Sequence, residues 1–138
     1  MNNYEGEQEK MSGIYPFFRV NKAGATRTVI LLGPYAIKVP IIHHFHTRWW
    51  SSFLRGLIGN MQEKDFCRMN RPEILPCLFS VWGGWMNVMP RVETISVEDF
   101  LELDYDAWID RGDFTVPVER KWDSFGWFRG EIVAIDLG

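Results

Sequence analysis

Three short apolar runs near the start of the chain restrict its fold more than any other feature. Residues 15–20 (YPFFRV), 26–32 (TRTVILL) and 35–39 (YAIKV) are rich in the aromatic and β-branched residues that suit a pleated, half-buried surface. Asn21-Lys22-Ala23-Gly24-Ala25 separates the first two runs, and Gly33-Pro34 separates the second from the third. Both connections fall short of the dozen or so residues a parallel crossover needs. The runs therefore predict an antiparallel meander of three strands, ended by Pro40.

After a linker (41–46), Trp50, Leu54, Leu57 and Met61 recur at spacings of four, three and four, with Phe53 and Ile58 alongside. That period predicts one long helix whose apolar stripe faces the core. Thr47 is placed to cap its start, Gly56 and Gly59 weaken it slightly, and the segment runs to about Met69 before Pro72 forbids more. Trp50 shares the stripe, whereas Trp49 points about 100° away from it. Trp49 is thus expected to be less buried than Trp50 and to lie on a contact with a second copy or a host protein. The competing expectation makes it a second core ring, folded back on the linker or the sheet edge.

Residues 74–82 and 85–89 read as two further strands, joined at Gly83-Gly84, a strong hairpin signal. Ser96, with Asp99 three residues on, has the capping-box pattern of a second helix reaching about Ile109. Arg111-Gly112-Asp113 breaks it as a turn, and a last strand over 131–135 (EIVAI) precedes Asp136-Leu137-Gly138. The expected class is α+β: a five-stranded antiparallel sheet packed by one long helix, followed by a truncated second lobe. Residues 1–12 are expected to be a mobile polar tail and 13–138 a single domain.

With 138 residues, 46% of them hydrophobic, the chain has the length and composition of one globular domain. A net charge of −3 gives no basic footprint, which argues against nucleic-acid binding. No apolar run approaches the ~20 residues of a membrane span, and the polar N-terminus is unlike a secretory signal, so no membrane contact and a cytoplasmic location are expected. In that compartment Cys67 and Cys77 are expected to be two buried, reduced thiols, with a disulfide left open. Most of the seven Trp and ten Phe are expected in the core, but seven Trp are more than a core of this size comfortably hides, so some, such as Trp49 and Trp50, are expected to be partly exposed and to mark a contact surface. His43, His44 and His46 could hold a transition metal, but without a matching Cys or acid an ordinary linker is the better reading.

Two motifs carry chemistry. Tyr35-Ala36-Ile37-Lys38 sets a lysine among apolar residues on the third strand, and Ile135-Asp136-Leu137-Gly138 sets an aspartate just past a buried strand. Binding a polyphosphate needs a fixed cation and a metal-binding carboxylate facing one cleft. Lys38 can supply the first and Asp136 the second, with Glu63, off the apolar stripe of the long helix, able to hold Lys38. The alternative is that Lys38 snorkels to solvent and Glu63 is a solvated helix charge. In type and order these residues resemble the protein-kinase-like family, with its strand-three V-A-I-K lysine and its D-F-G aspartate. Short chains of this kind resemble kinase-like proteins carried by bacteriophages.

The resemblance implies an N-lobe over 13–93, a truncated catalytic segment over 94–138, and ATP with Mg²⁺ as ligands. It implies that Lys22 and Gly24 lie in the loop over the phosphates, where a single glycine stands in place of G-x-G-x-x-G. Met89 would be the gatekeeper, Pro90 would offer a carbonyl to the adenine, and Val92 would donate its N–H. In the catalytic loop Ser124 would stand at the metal-binding Asn, Glu119 at the base, and Asp123 could serve as metal ligand or base. No His-Arg precedes Glu119, and no activation segment is expected after Gly138. The expected function is a minimal kinase-like, ATP-binding protein, with phosphotransferase activity left open. The alternative is a non-catalytic interaction module, such as a phage-encoded inhibitor of a host protein.

Overall fold

The computed structural model describes residues 18–21, 26–41 and 49–137 of the chain. The fold is α+β. Strands β1 (Phe18–Asn21), β2 (Arg27–Leu32) and β3 (Tyr35–Pro40) form the expected antiparallel meander. Pro40 does not end β3 from outside but is its last paired residue, opposite Arg27. Helix α1 (Trp49–Cys67, 19 residues) then crosses to the far edge of the sheet, where β4 (Phe79–Val81) and β5 (Met86–Pro90) follow. The strand order β1-β2-β3-β5-β4 gives a five-stranded sheet that is antiparallel throughout.

Several boundaries depart from expectation. β4 is only three residues long, because the chain before it leaves the sheet to bridge Ile74 to Ala134. Gly83-Gly84 belongs to a single 3-10 turn (Trp82–Gly84) rather than a two-residue hairpin loop, with both glycines at positive φ (79° and 78°). The helical region after Ser96 is two helices, α2 (Val97–Glu102) and α3 (Tyr105–Ile109). Leu103 turns extended between them, and Asp104 caps the second by accepting from Ala107 N at 3.2 Å. A second sheet also forms, of β6 (Glu93–Thr94), β7 (Phe125–Phe128) and β8 (Glu131–Ala134), in which the segment expected to be a catalytic loop becomes a strand from Phe125 onward.

The larger hydrophobic cluster lies beneath this second sheet, around Phe125, Ile95, Val116, Ala134 and Leu137. A smaller one joins the two sheets through Leu75, Met89 and Val133.

The face that α1 turns inward is opposite to the expected one. At 100° per residue, Leu54 lies about 180° and Met61 about 160° from Glu63. Glu63, Asn60 and Gly56 are buried, whereas Trp50, Leu54, Ile58 and Met61 are about half exposed (57, 51, 53 and 48%). Small size explains the choice. A Cβ on Gly56 would stand 2.4 Å from the carbonyl oxygen of Thr26, and one on Gly84 would stand 2.1 Å from that of Leu57. The helix backbone can approach the sheet and the 82–84 turn this closely only at glycine. Trp50 is therefore not a core residue as expected. The Trp49 side chain, and with it the comparison of the two, lies outside the described residues, as do Thr47 and the three histidines.

A buried ion-pair cluster as the candidate functional site

Residues paired across neighbouring strands share a face of the sheet. Lys38 on β3 is opposite Val29 on one side and Asn87 on the other, and Arg27 is two residues from Val29. Arg27, Lys38 and Asn87 therefore project from the same face, the one α1 covers. The helix answers with Asn60 and Glu63, three residues apart on one side.

The resulting network is dense. Lys38 Nζ donates to Glu63 Oε1 at 2.5 Å and to the carbonyl of Ile135 at 2.6 Å, and stands 3.9 Å from Asp136 Oδ1. Glu63 Oε2 accepts from Arg27 at 3.2 Å and from Asn87 at 3.4 Å. Arg27 also pairs with Asp136. Asn60 donates to the carbonyls of Lys38 (3.1 Å) and Gly84 (2.9 Å), and its own carbonyl accepts from Asn87 at 2.8 Å. Glu63, Asn60 and Asn87 are fully buried and Lys38 nearly so, whereas the Asp136 side chain is 51% exposed. A buried charge is tolerable only when paired and hydrogen-bonded, and here two cations face two carboxylates. The cluster thus runs from a dry interior at Glu63 to an open carboxylate at Asp136.

Asp136 is held in place from both sides. Ile135 N donates to Ser124 O at 2.9 Å, and Leu137 bridges Val118. Those contacts draw the 118–124 segment, with Glu119 and Asp123, alongside Asp136. Lys121 in that segment is held above its usual pKa, first by its hydrogen bond and ion pair with Glu119, then by attraction to Asp123 and Asp136. Glu119 and Asp123 are exposed, and Ser124 is buried.

Met89 is buried against Leu75 and Val133, with Val92 and Ile135 packed on the same cluster. It therefore lies between the main sheet and the strand that leads to Asp136. Pro90 ends β5 opposite Tyr35, and Arg91 N donates to Pro34 O at 2.8 Å. Lys22 and Gly24 lie outside the described residues.

Arg27, Asn60 and Asn87 belong to the cluster but are missing from the sequence reading. The strand period signals Arg27, two residues from the position opposite Lys38. The helix period signals Asn60, one turn before Glu63.

No protein-family model matches the chain, and no curated protein is similar to it in sequence.

Proposed function

We propose that the chain is a kinase-like nucleotide-binding protein that takes Mg·ATP beside Lys38 and Asp136. The observation that carries this reading is the buried Lys38–Glu63 pair, with Asp136 3.9 Å from the same ammonium. Kinase-like sites use this set: a strand-three lysine on the α/β-phosphates, a helix glutamate that orients it, and an aspartate on the metal. An ammonium has three donors. Two are committed to Glu63 and Ile135, which fixes the lysine and leaves one N–H for Asp136 or a phosphate oxygen.

Mg²⁺ favours one or two carboxylates completed by phosphate oxygens and water. Asp136, half exposed, fits that demand, and exposed Asp123 fits as a second ligand better than buried Ser124. When bound, the ion would supply positive charge that offsets the charge of the phosphates. Lys38 would hold the phosphates, Glu63 would keep Lys38 aimed, and Met89 would wall the base from the core. Glu119, paired with Lys121, is less available as a base than Asp123.

Thermal shift with millimolar Mg·ATP tests the reading. A ligand at 100 times its Kd stabilises the native state by about 2.7 kcal/mol, and Asp136→Asn should remove that shift while folding normally. Wild-type protein that shows no shift would overturn the proposal. Release of ADP by wild type and not by Asp123→Asn would extend it to phosphoryl transfer.

The exposed stripe Trp50, Leu54, Ile58 and Met61, with Trp82 at 85% exposure, supports a second reading. On this reading the scaffold is an interaction module that docks a host protein or a second copy through these side chains. Leu54→Glu should then abolish association and leave nucleotide binding intact.

A further inference from the structure

β4 forms one edge of the main sheet, and among the described residues no strand pairs with its outer side. Leu78 N donates inward, to Val88 O at 2.8 Å. Backbone groups alternate along a strand, so the N–H and C=O of Phe79 and Val81 face outward. Sheets usually blunt such an edge with charge, proline or a bulge. Residues 77–82 (CLFSVW) hold neither a charge nor a proline, and Leu78, Phe79 and Trp82 are 54, 58 and 85% exposed. A cavity of about 400 Å³ lies between this strand and the last turn of α1, lined by Lys64 and Arg68 on the helix and by Leu78, Phe79 and Ser80. Ser80 Oγ is buried and has no partner among the described residues. One edge thus carries open backbone bonds, a projecting indole and a hollow.

We propose that this edge is a two-fold interface in which β4 pairs antiparallel with β4 of a second copy, centred on Ser80. That register sets Phe79 opposite Val81 of the second copy, and Val81 opposite its Phe79. These are the residues whose backbone groups face outward, so each pair closes both of its N–H···O bonds. Ser80 then meets its own counterpart in a non-hydrogen-bonded pair, where opposed residues come closest. Two hydroxyls so placed bond to each other, which gives each buried Ser80 Oγ the partner it lacks. One step further out, Leu78 stands opposite Trp82 of the second copy. Val81 is extended (φ −84°, ψ 136°), so Trp82 keeps to the face of Ser80 and Leu78, which is the face of the cavity. The exposed indole of one copy is thereby delivered to the hollow of the other, against Leu78 and beside the cations Lys64 and Arg68, which attract an aromatic face. The symmetry fills both hollows at once and uses up the edge, so the contact closes at two copies.

An aromatic side chain offers about 150–250 Å², so Phe79 and Trp82 together expose roughly 200–350 Å² in each copy. With Leu78 and the strand backbone added, the contact falls at the small end of specific interfaces, and the dimer is a reversible one. This edge is a separate surface from the outward stripe of α1, with only Trp82 in common, and its pairing needs no nucleotide.

Analytical ultracentrifugation of the full chain tests the proposal. At about 100 μM, above the micromolar range of a small interface, wild type should sediment as a dimer that dissociates on dilution. Phe79→Lys, which puts a charge on the edge, should sediment as a folded monomer, and Trp82→Ala should weaken the dimer about 30-fold. Leu54→Glu should leave the dimer intact, which separates this edge from the stripe on α1. Ser80→Cys reads the register. Opposed residues of a non-hydrogen-bonded pair have Cα atoms about 4.5 Å apart, within disulfide reach, so mild oxidation of this variant should give a covalent dimer on a non-reducing gel. Wild type, whose Cys67 and Cys77 are free and half-buried, should give none. Wild type that stays monomeric at about 100 μM, a dimer dissolved by Leu54→Glu and not by Phe79→Lys, or a dimer that Ser80→Cys does not cross-link would each overturn the proposal.

Discussion

Replacing Glu63 with Gln strands the Lys38 ammonium beside a neutral amide in a site almost closed to water. Breaking a buried pair from one side costs about 3–5 kcal/mol, whereas replacing both partners by apolar groups is often nearly neutral. Urea denaturation of Glu63→Gln should show a loss of that size, and Lys38→Met/Glu63→Leu should recover most of it. Nucleotide-induced stabilisation should be absent from both. Arg27 acts differently, because it pairs with Asp136, the carboxylate that the proposed function gives to the metal. Removing its guanidinium in Arg27→Ala should lower the Mg·ATP concentration needed for half-maximal thermal shift. An increase in that concentration would show instead that Arg27 helps to hold phosphate. Lys38 and Asp136 were legible in the sequence because a charged residue beside apolar neighbours stands out, and Glu63 because the helix period set it off the apolar stripe. Arg27, Asn60 and Asn87 were not, since a polar residue at a strand or helix position is read as facing solvent until its partner across the sheet is known.

At the scale of elements, the strand runs and the single long helix followed from period and punctuation, but the direction in which the helix faces did not. Hydrophobic period locates a stripe and assumes that it turns inward. In α1 that assumption fails, because the glycine-lined polar side is the one that fits the sheet. Glycine was read as a mild helix weakener, when at position 56 it is the point of closest approach. Gly84→Ala combines a positive φ of 78° with a contact of 2.1 Å to Leu57 O, and should destabilise by about 2–4 kcal/mol. Leu54→Glu and Ile58→Glu, on the outward stripe, should stay within about 0.5 kcal/mol of wild type. Denaturant midpoints measure all three. A large loss at Leu54 or Ile58 would mean that the stripe is covered in solution. The second sheet was missed for another reason: β6 has two residues, and β7 begins inside a stretch whose Trp, Asp and Ser resemble a loop.

At the scale of the whole molecule, backbone bonds stitch the second sheet to the segment that leads from α1 into β4. Leu75 N donates to Ala134 O at 3.1 Å, and Ala134 N to Glu73 O at 2.8 Å. The smaller apolar cluster spans the same seam. Neither half can open without exposing Leu75, Met89 and Val133, so unfolding should be a single transition. Far-ultraviolet circular dichroism and tryptophan fluorescence should therefore give coincident urea curves, and separated midpoints would show that the sheets melt independently. The Arg27–Asp136 pair joins residues 109 positions apart, which bears on how the protein is made. Domains form progressively as the chain leaves the ribosome, and contacts of such long sequence separation form late and slowly. The strands and α1 can assemble early, but the carboxylate that completes the cluster is translated long after Arg27. A nascent chain halted before residue 136 would hold Arg27 and Lys38 against Glu63 alone, and on the proposed function it should not yet respond to Mg·ATP.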